Sequence, residues 1–270
     1  MPDPAFTVVA LAGGTLERDF RKAGYDVANK AYLPIAGTLM LERVLRAFRD
    51  SRSVGRIRVV TQPDAFAAAF GTDRGALADD VIAPGAGLID SMLAGLAGLD
   101  EHAMTLVTAT DLPLLSGAAI DAFVAQARAL RPEYDIGYGF VSRQSHMAKY
   151  PQVRHTWVPL REGVFCGGGV SVLRAGAAVQ AAELLRMVAA LRKSPLRLAG
   201  VFSPGLLVRL PFGGVRVGEL EERADALSGL RCRGIRCDEP DLAVNVDRLD
   251  DLIAAEEILR ENNRAQSTPN

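Results

Sequence analysis

The chain has 270 residues, 49% of them hydrophobic and 23% charged, and its 31 Lys plus Arg nearly balance 32 Asp plus Glu to leave a formal charge of −1. That length suffices for a full core and the composition is that of an ordinary soluble globular protein, while the near-neutral balance argues against a general nucleic-acid or membrane-surface binder. The three cysteines, Cys166, Cys232 and Cys237, are too few and too irregularly spaced for a disulfide framework or a zinc site, so a reducing cytoplasm is the expected location. Met-Pro-Asp-Pro places no basic segment before the apolar run Phe6 to Ala12, so a signal peptide is not expected. No later apolar stretch is long enough to span a bilayer.

Phe6 to Ala12 reads as a buried strand that leaves through Gly13-Gly14 into a loop whose backbone can approach a ligand closely. Arg18, Arg21, Lys22 and Lys30 follow. Together with backbone N–H groups, they suit a phosphate. Leu39 to Phe48 has helical apolar spacing, Arg56 to Thr61 is a strand closed by Pro63, and Asp64 to Phe70 is a short helix. Asp80 to Ala83 is a brief strand. Pro84-Gly-Ala-Gly87 then turns into a helix from about Ile89 to Leu99, with Asp90 and Ser91 in its first turn.

Met104 to Thr108 is the next strand, ending at Ala109-Thr-Asp111, and Ser116 is a plausible N-cap for a helix over Gly117 to Leu130. Tyr134 to Val141 is a strand, Ser142 to Arg161 is a polar and aromatic stretch whose plain reading is a solvated loop, and Phe165 to Leu173 contains Cys166-Gly-Gly-Gly169, a close backbone approach inside or beside a strand. Helical patterns cover Ala175 to Leu191, Leu196 to Leu210 with a break at Pro204-Gly205, and Glu219 to Leu227. Leu230 to Cys237 and Leu242 to Val246 read as strands, and Arg248 to Asn262 as a closing helix. Alternating strands and helices predict parallel strands joined by helical crossovers. Neither a repeat nor a Pro, Gly or Ser-rich linker is visible, so one domain over residues 1–265 with a frayed tail at 266–270 is expected.

Four stretches in this order, Leu11-Ala-Gly-Gly14, Lys30-Ala-Tyr-Leu-Pro-Ile-Ala-Gly-Thr-Leu-Met-Leu-Glu42, Thr110-Asp-Leu-Pro-Leu-Leu115 and Asn245-Val-Asp-Arg-Leu-Asp-Asp-Leu252, resemble the nucleotidyltransferases of the molybdenum-cofactor guanylyltransferase-like superfamily. The resemblance implies a three-layer α/β/α sandwich with a mostly parallel sheet, a Rossmann-like fold of the nucleotide-diphospho-sugar transferase (GT-A) type. It also implies that Leu11, Ala12, Gly13 and Gly14 wrap a triphosphate, and that Lys30 and an arginine touch its phosphates. Fifteen residues separate Gly14 from Lys30, more than is usual in that group. Either Arg18 or Arg21 could be the arginine.

In the resembling proteins the aspartate at the position of Asp111 holds Mg²⁺, a hard ion that takes one or two protein carboxylates plus phosphate and water. The matching second ligand is Asp247, with Asn245 in reserve. Asp247 could equally be an N-cap of the last helix on local sequence. Gly85, Gly87, Asp90 and Ser91 match the loop and helix start that contact base and ribose. The acceptor side falls on Ser142 to Gly169, where Arg143, His146, Lys149, Arg154 and His155 gather charge suited to an anionic group and Gly168 lies in the strand expected to floor the pocket.

The expected activity is Mg²⁺-dependent transfer of a nucleoside monophosphate from a triphosphate to a small phosphorylated acceptor, with loss of pyrophosphate. A molybdopterin guanylyl- or cytidylyltransferase is the alternative within the class. Outside it stand a GT-A glycosyltransferase, which would typically carry a paired aspartate at the strand end, and a non-catalytic nucleotide-binding regulator.

Overall fold

A computed structural model describes residues 5–71, 76–191 and 203–267. The elements are β1 (Phe6–Leu11), α1 (Arg18–Lys22), β2 (Pro34–Ile35), β3 (Thr38–Leu39), α2 (Met40–Asp50), β4 (Val54–Val60), α3 (Pro63–Phe70), β5 (Asp80–Ile82), α4 (Leu88–Leu96), β6 (Met104–Ala109) and α5 (Gly117–Ala129). They continue as β7 (Ile136–Ser142), α6 (Arg143–Lys149), β8 (Val158–Leu160), β9 (Gly163–Arg174), α7 (Ala175–Gln180), α8 (Ala182–Leu191), α9 (Pro204–Arg209), α10 (Val217–Ser228), β10 (Cys232–Arg236) and α11 (Leu249–Ser267).

Seven strands lie in the order β10-β7-β9-β6-β1-β4-β5, with β8 added beside β9. Strands β5, β4, β1 and β6 are mutually parallel, as are β10 and β7. Within this sheet the antiparallel pairs all involve β9, which meets β6, β7 and β8, while β2 and β3 form a separate antiparallel pair. The mostly parallel sheet expected from the alternating pattern is therefore present, with one reversed strand inserted between β6 and β7.

Side chains of a strand alternate between faces, and β1 shows the result. Val8 and Ala10 belong to a core with Leu41, Val44, Leu45 and Phe48 of α2 and Ile120, Phe123 and Val124 of α5. Val9 belongs to a second core on the other face, with Ile89, Met92 and Leu96 of α4 and Ala175 and Ala178 of α7. Helices thus cover both faces, making three layers. A third core joins Phe20 of α1, Leu33, Ile35, Leu114, Val244, Val246 and the inner face of α11 through Leu252, Ala255 and Ile258. This satellite core supports the segments that reach the site.

Three local expectations change. Leu242 to Val246 is not a strand: Pro240–Leu242 is a 3-10 helix, and the Val246 N–H reaches the Asp111 carbonyl at 2.9 Å instead of joining a ladder. The stretch from Ser142 is not all loop. Ser142 caps α6 by accepting from the Ser145 N–H, and β8 pairs with β9; a helix of seven residues is too short to show a repeating face. Ala175 to Leu191 divides at Ala181 into α7 and α8. Of the expected amphipathic stretch Leu196 to Leu210, residues 196–202 lie outside the described residues and α9 covers 204–209.

Candidate active site

The parallel strands β1, β4, β5 and β6 end on one edge, where open α/β sheets bind ligands. Side chains tie these ends together. The Thr110 hydroxyl donates to the Leu11 carbonyl at 3.0 Å, and the Ala12 carbonyl accepts from both Thr61 Oγ1 and Asn29 Nδ2, each at 2.9 Å. Gly14 leaves this junction with φ +94°, a left-handed conformation that favours glycine. A Cβ on Gly13 would lie 3.4 Å from Pro84, so the loop after β1 passes close to the turn before α4. Between Gly14 and Lys30 the chain folds back through α1, with Phe20 buried. That short helix accounts for the long interval read in the sequence.

Asn29 is 1% exposed. Its amide oxygen accepts from the Ala31 N–H at 2.9 Å and so caps the 3-10 helix Lys30–Tyr32. One side chain therefore fixes both the loop and the start of the lysine segment. Lys30 Nζ stands 2.6 Å from Asp111 Oδ2 and 2.9 Å from Asp247 Oδ1. It also donates to the Val246 carbonyl at 3.1 Å, and the Glu17 carboxylate is 3.9 Å away. Burial by itself would lower the lysine's pKa, but Asp111 and then Asp247 outweigh it and raise the value well above that of an ordinary ammonium. Lys30 is a fixed cation.

Asp111 is buried, and its Oδ1 has no hydrogen-bond partner. A buried carboxylate oxygen without a partner is costly. Asp247, by contrast, has a side chain 73% exposed. Its carboxylate reaches Lys30, while Asp251 accepts from the N–H groups of Asp247 and Arg248. Asn245 is half-buried two residues earlier. Among the described residues no group of three or more His, Cys, Asp or Glu is disposed to hold a metal. Two carboxylates on one ammonium, one of them with an unused buried oxygen, nevertheless fit an ion that draws its remaining ligands from phosphate and water.

Among the residues expected to border a nucleotide, the Ser91 hydroxyl accepts from the Gly85 N–H at 3.1 Å. Gly85 packs so closely on Asp90 that a Cβ would lie 2.5 Å from the Asp90 Cβ. Asp90 itself pairs with Arg186 of α8 at 2.7 Å. Its carboxylate is thus shared with a helix on the sheet's second face. Arg18 and Arg21 both sit exposed on α1, with Arg18 following Glu17 directly.

The residues expected on the acceptor side separate. Arg143 lies over the Trp157 ring at 5.8 Å and lines a cavity of about 540 Å³ with Glu162, Phe165 and Arg236. Arg154 is exposed. His146 is fully buried, edge-on to His155 at 4.3 Å, and Lys149 pairs with the buried Asp241 at 2.5 Å. His146 is thus packed among aromatic rings and Lys149, itself exposed, is held by Asp241, and neither lines the cavity with Arg143. Gly168 lies against Gly139, to whose carbonyl oxygen a Cβ would stand at 3.2 Å.

Asn29 and Thr61 carry no role in the sequence reading, and Thr110 and Gly169 enter it only inside longer motifs, yet all four build the site. A Cβ on Gly169 would lie 2.4 Å from Leu112, so that glycine makes room for the residue beside Asp111. Asn29 had a usable signal, since it directly precedes the lysine of the second motif. Threonines at strand ends carry none.

The family described as MobA-like NTP transferase domain matches residues 8–193. That span contains the glycine loop, Lys30 and Asp111, while Asp247 lies beyond it. Among solved structures, a hypothetical transferase from Thermus thermophilus is similar with a TM-score of 0.79 and 27% identity, covering 92% of this chain and 100% of that one. A nucleotidyl transferase from Methanothermobacter thermautotrophicus has a TM-score of 0.53 at 20% identity, covering 96% of this chain and 99% of that one. A CMP:2-keto-3-deoxy-manno-octonic acid synthetase complexed with CTP has a TM-score of 0.60 at 12% identity, covering 96% of this chain and 100% of that one. These last two share the fold. No curated protein matches the sequence significantly.

Proposed function

Because the chain belongs to the MobA-like NTP transferase domain family, and is thereby an enzyme of the nucleotidyltransferase class, we propose that it transfers a nucleoside monophosphate from a triphosphate to a small phosphorylated acceptor, releasing pyrophosphate. The observation that carries this reading is the meeting of Asp111, Asp247 and Lys30 at the strand edge, each carboxylate within hydrogen-bonding distance of one ammonium. The glycine loop after β1 lies on the same edge, tied to the lysine segment through Asn29.

In this reading the backbone of Leu11 to Gly14 receives the phosphates, with Lys30 and one of Arg18 or Arg21 supplying positive charge. Gly85, Asp90 and Ser91 border base and ribose. A phosphate oxygen of the acceptor attacks the α-phosphorus in line, the bond from that phosphorus to the bridging oxygen breaks, and pyrophosphate leaves with the electron pair. The attacking oxygen is ionised near neutral pH, so no dedicated base is required. Asp111 and Asp247 would hold Mg²⁺, which when bound supplies charge compensation and orientation for the phosphates. Lys30 offsets charge that builds on the transferring group.

Arg143 and Arg236, lining the cavity beside the ends of β7 and β10, support an anionic acceptor, with Arg154 nearby in sequence and Gly168 in the neighbouring strand. The glycosyltransferase reading is disfavoured by Thr110, which stands where a paired aspartate would be and spends its hydroxyl on the Leu11 carbonyl. Pyrophosphate release, screened with the common triphosphates against a panel of phosphorylated acceptors, tests the proposal. One pair that turns over identifies base and acceptor together. Failure of every combination, with folded protein and Mg²⁺ present, counts against it.

A further inference from the structure

We propose that the Lys30 ammonium stands in for a divalent cation in the nucleotide-free protein, competing with metal for Asp111 and Asp247 until a triphosphate draws it away. The inference rests on the reading that these two carboxylates hold the ion, and adds an order of events to it.

An ammonium has three hydrogens to donate. Here the Val246 carbonyl and Asp247 Oδ1 accept from it and Asp111 Oδ2 forms an ion pair with it at 2.6 Å. A phosphate therefore has to compete with these three oxygens for the ammonium. The lysine also stands where a shared cation would stand, because it bridges one carboxylate from the end of β6 and one from the segment before α11. Two cations crowded onto the same pair of carboxylates repel.

The Asp111 carboxylate shows that the lysine is an incomplete substitute. Lys30 satisfies Oδ2, whereas Oδ1 is buried without a hydrogen-bond partner. That unused oxygen points to a further ligand. Counting Glu17 at 3.9 Å, three carboxylates surround a single positive charge, so the cluster keeps an excess of negative charge even with the lysine in place. Phosphate oxygens would give the ammonium an alternative set of acceptors and free the aspartates in the same event. By linkage, an ion that is opposed by Lys30 in the empty site and welcomed once the lysine has moved binds cooperatively with the nucleotide.

Titration with Mn²⁺ alone, following the free ion by electron paramagnetic resonance at fixed ionic strength, tests this on the full-length protein. Lys30→Met should tighten Mn²⁺ binding about tenfold or more over wild type, while Lys22→Met, which removes an exposed charge from α1, should change it less than twofold. Lys30→Gln provides a second measure should the methionine variant lose its fold, as judged by circular dichroism. No tightening in either folded Lys30 variant, or equal tightening in Lys22→Met, overturns the proposal. Asp111→Asn placed on the Lys30→Met background separates the two readings. Loss of Mn²⁺ binding there keeps the metal assignment whatever Lys30 does, and unchanged binding removes that assignment and the proposal with it.

Discussion

The side-chain amide of Asn29 donates to the Ala12 carbonyl at 2.9 Å, fastening the segment that carries Lys30 to the loop that leaves β1. Its oxygen meanwhile accepts from the Ala31 N–H. A buried residue of 1% exposure thus sets the distance between the glycine loop after β1 and Lys30.

Asn29→Ala should cost about 1–3 kcal/mol of stability, because the Ala31 N–H and one bond to the Ala12 carbonyl lose their partner. It should also weaken triphosphate binding more than acceptor binding. Denaturant unfolding and separate Michaelis constants check both effects. An unchanged nucleotide constant would mean that the loop holds its shape through Thr61 alone.

Lys30→Met keeps much of the stem packing and deletes the charge. The turnover number should fall by about a hundredfold or more, with a smaller change in the nucleotide constant, since charge stabilisation matters most as the phosphorus is attacked. Steady-state kinetics decide the matter, and a variant with a raised constant but a normal turnover number would make Lys30 a binding residue only.

Arg143→Ala should raise the Michaelis constant for the acceptor about tenfold and leave that for the nucleotide nearly unchanged, because Arg143 lines the cavity flanked by Arg236 and Glu162. Arg154→Ala should have a smaller effect. Equal damage to both constants by Arg143→Ala would assign it to structure, through its contact with Trp157.

His146 gives a pH dependence whose sign follows from its burial. Burial, aided by the neighbouring His155, pushes its pKa down to about 4, whereas an unfolded histidine titrates at about 6.5. The unfolded chain therefore binds the proton first. The contribution is fully present above about pH 6.5 and is lost as pH falls from there toward 4, on the order of 3 kcal/mol. Denaturant midpoints at several pH values should show this decline in wild type and a shallower one in His146→Phe.

Much of the architecture was legible because its signals are local. The apolar runs of β1, β4 and β6, and the helical spacing of Leu41, Val44, Leu45 and Phe48, mark buried elements whatever their neighbours. The reversed strand β9 was not legible in orientation, since strand direction depends on which edge receives it. Leu242 to Val246 misled for a related reason: its apolar alternation serves the satellite core, where Val244 and Val246 pack against Phe20 and Leu252, instead of a sheet. In the site, Lys30 and Asp111 stood in readable motifs. The partners of Lys149 and His146 did not, because Asp241 and Trp157 are brought to them only by the fold.

Acceptor-dependent pyrophosphate release by wild type and Asp111→Asn, measured at saturating Mg²⁺ with the triphosphate and acceptor found by screening, tests the central claim most directly. Asp111→Asn should unfold at a temperature close to that of wild type and lose at least about a hundredfold in turnover, because it removes the carboxylate that pairs with Lys30 and that is proposed to hold the ion. Release by Asp111→Asn at a rate near that of wild type would contradict the account, since the carboxylate on which the whole site converges would then take no part in the reaction.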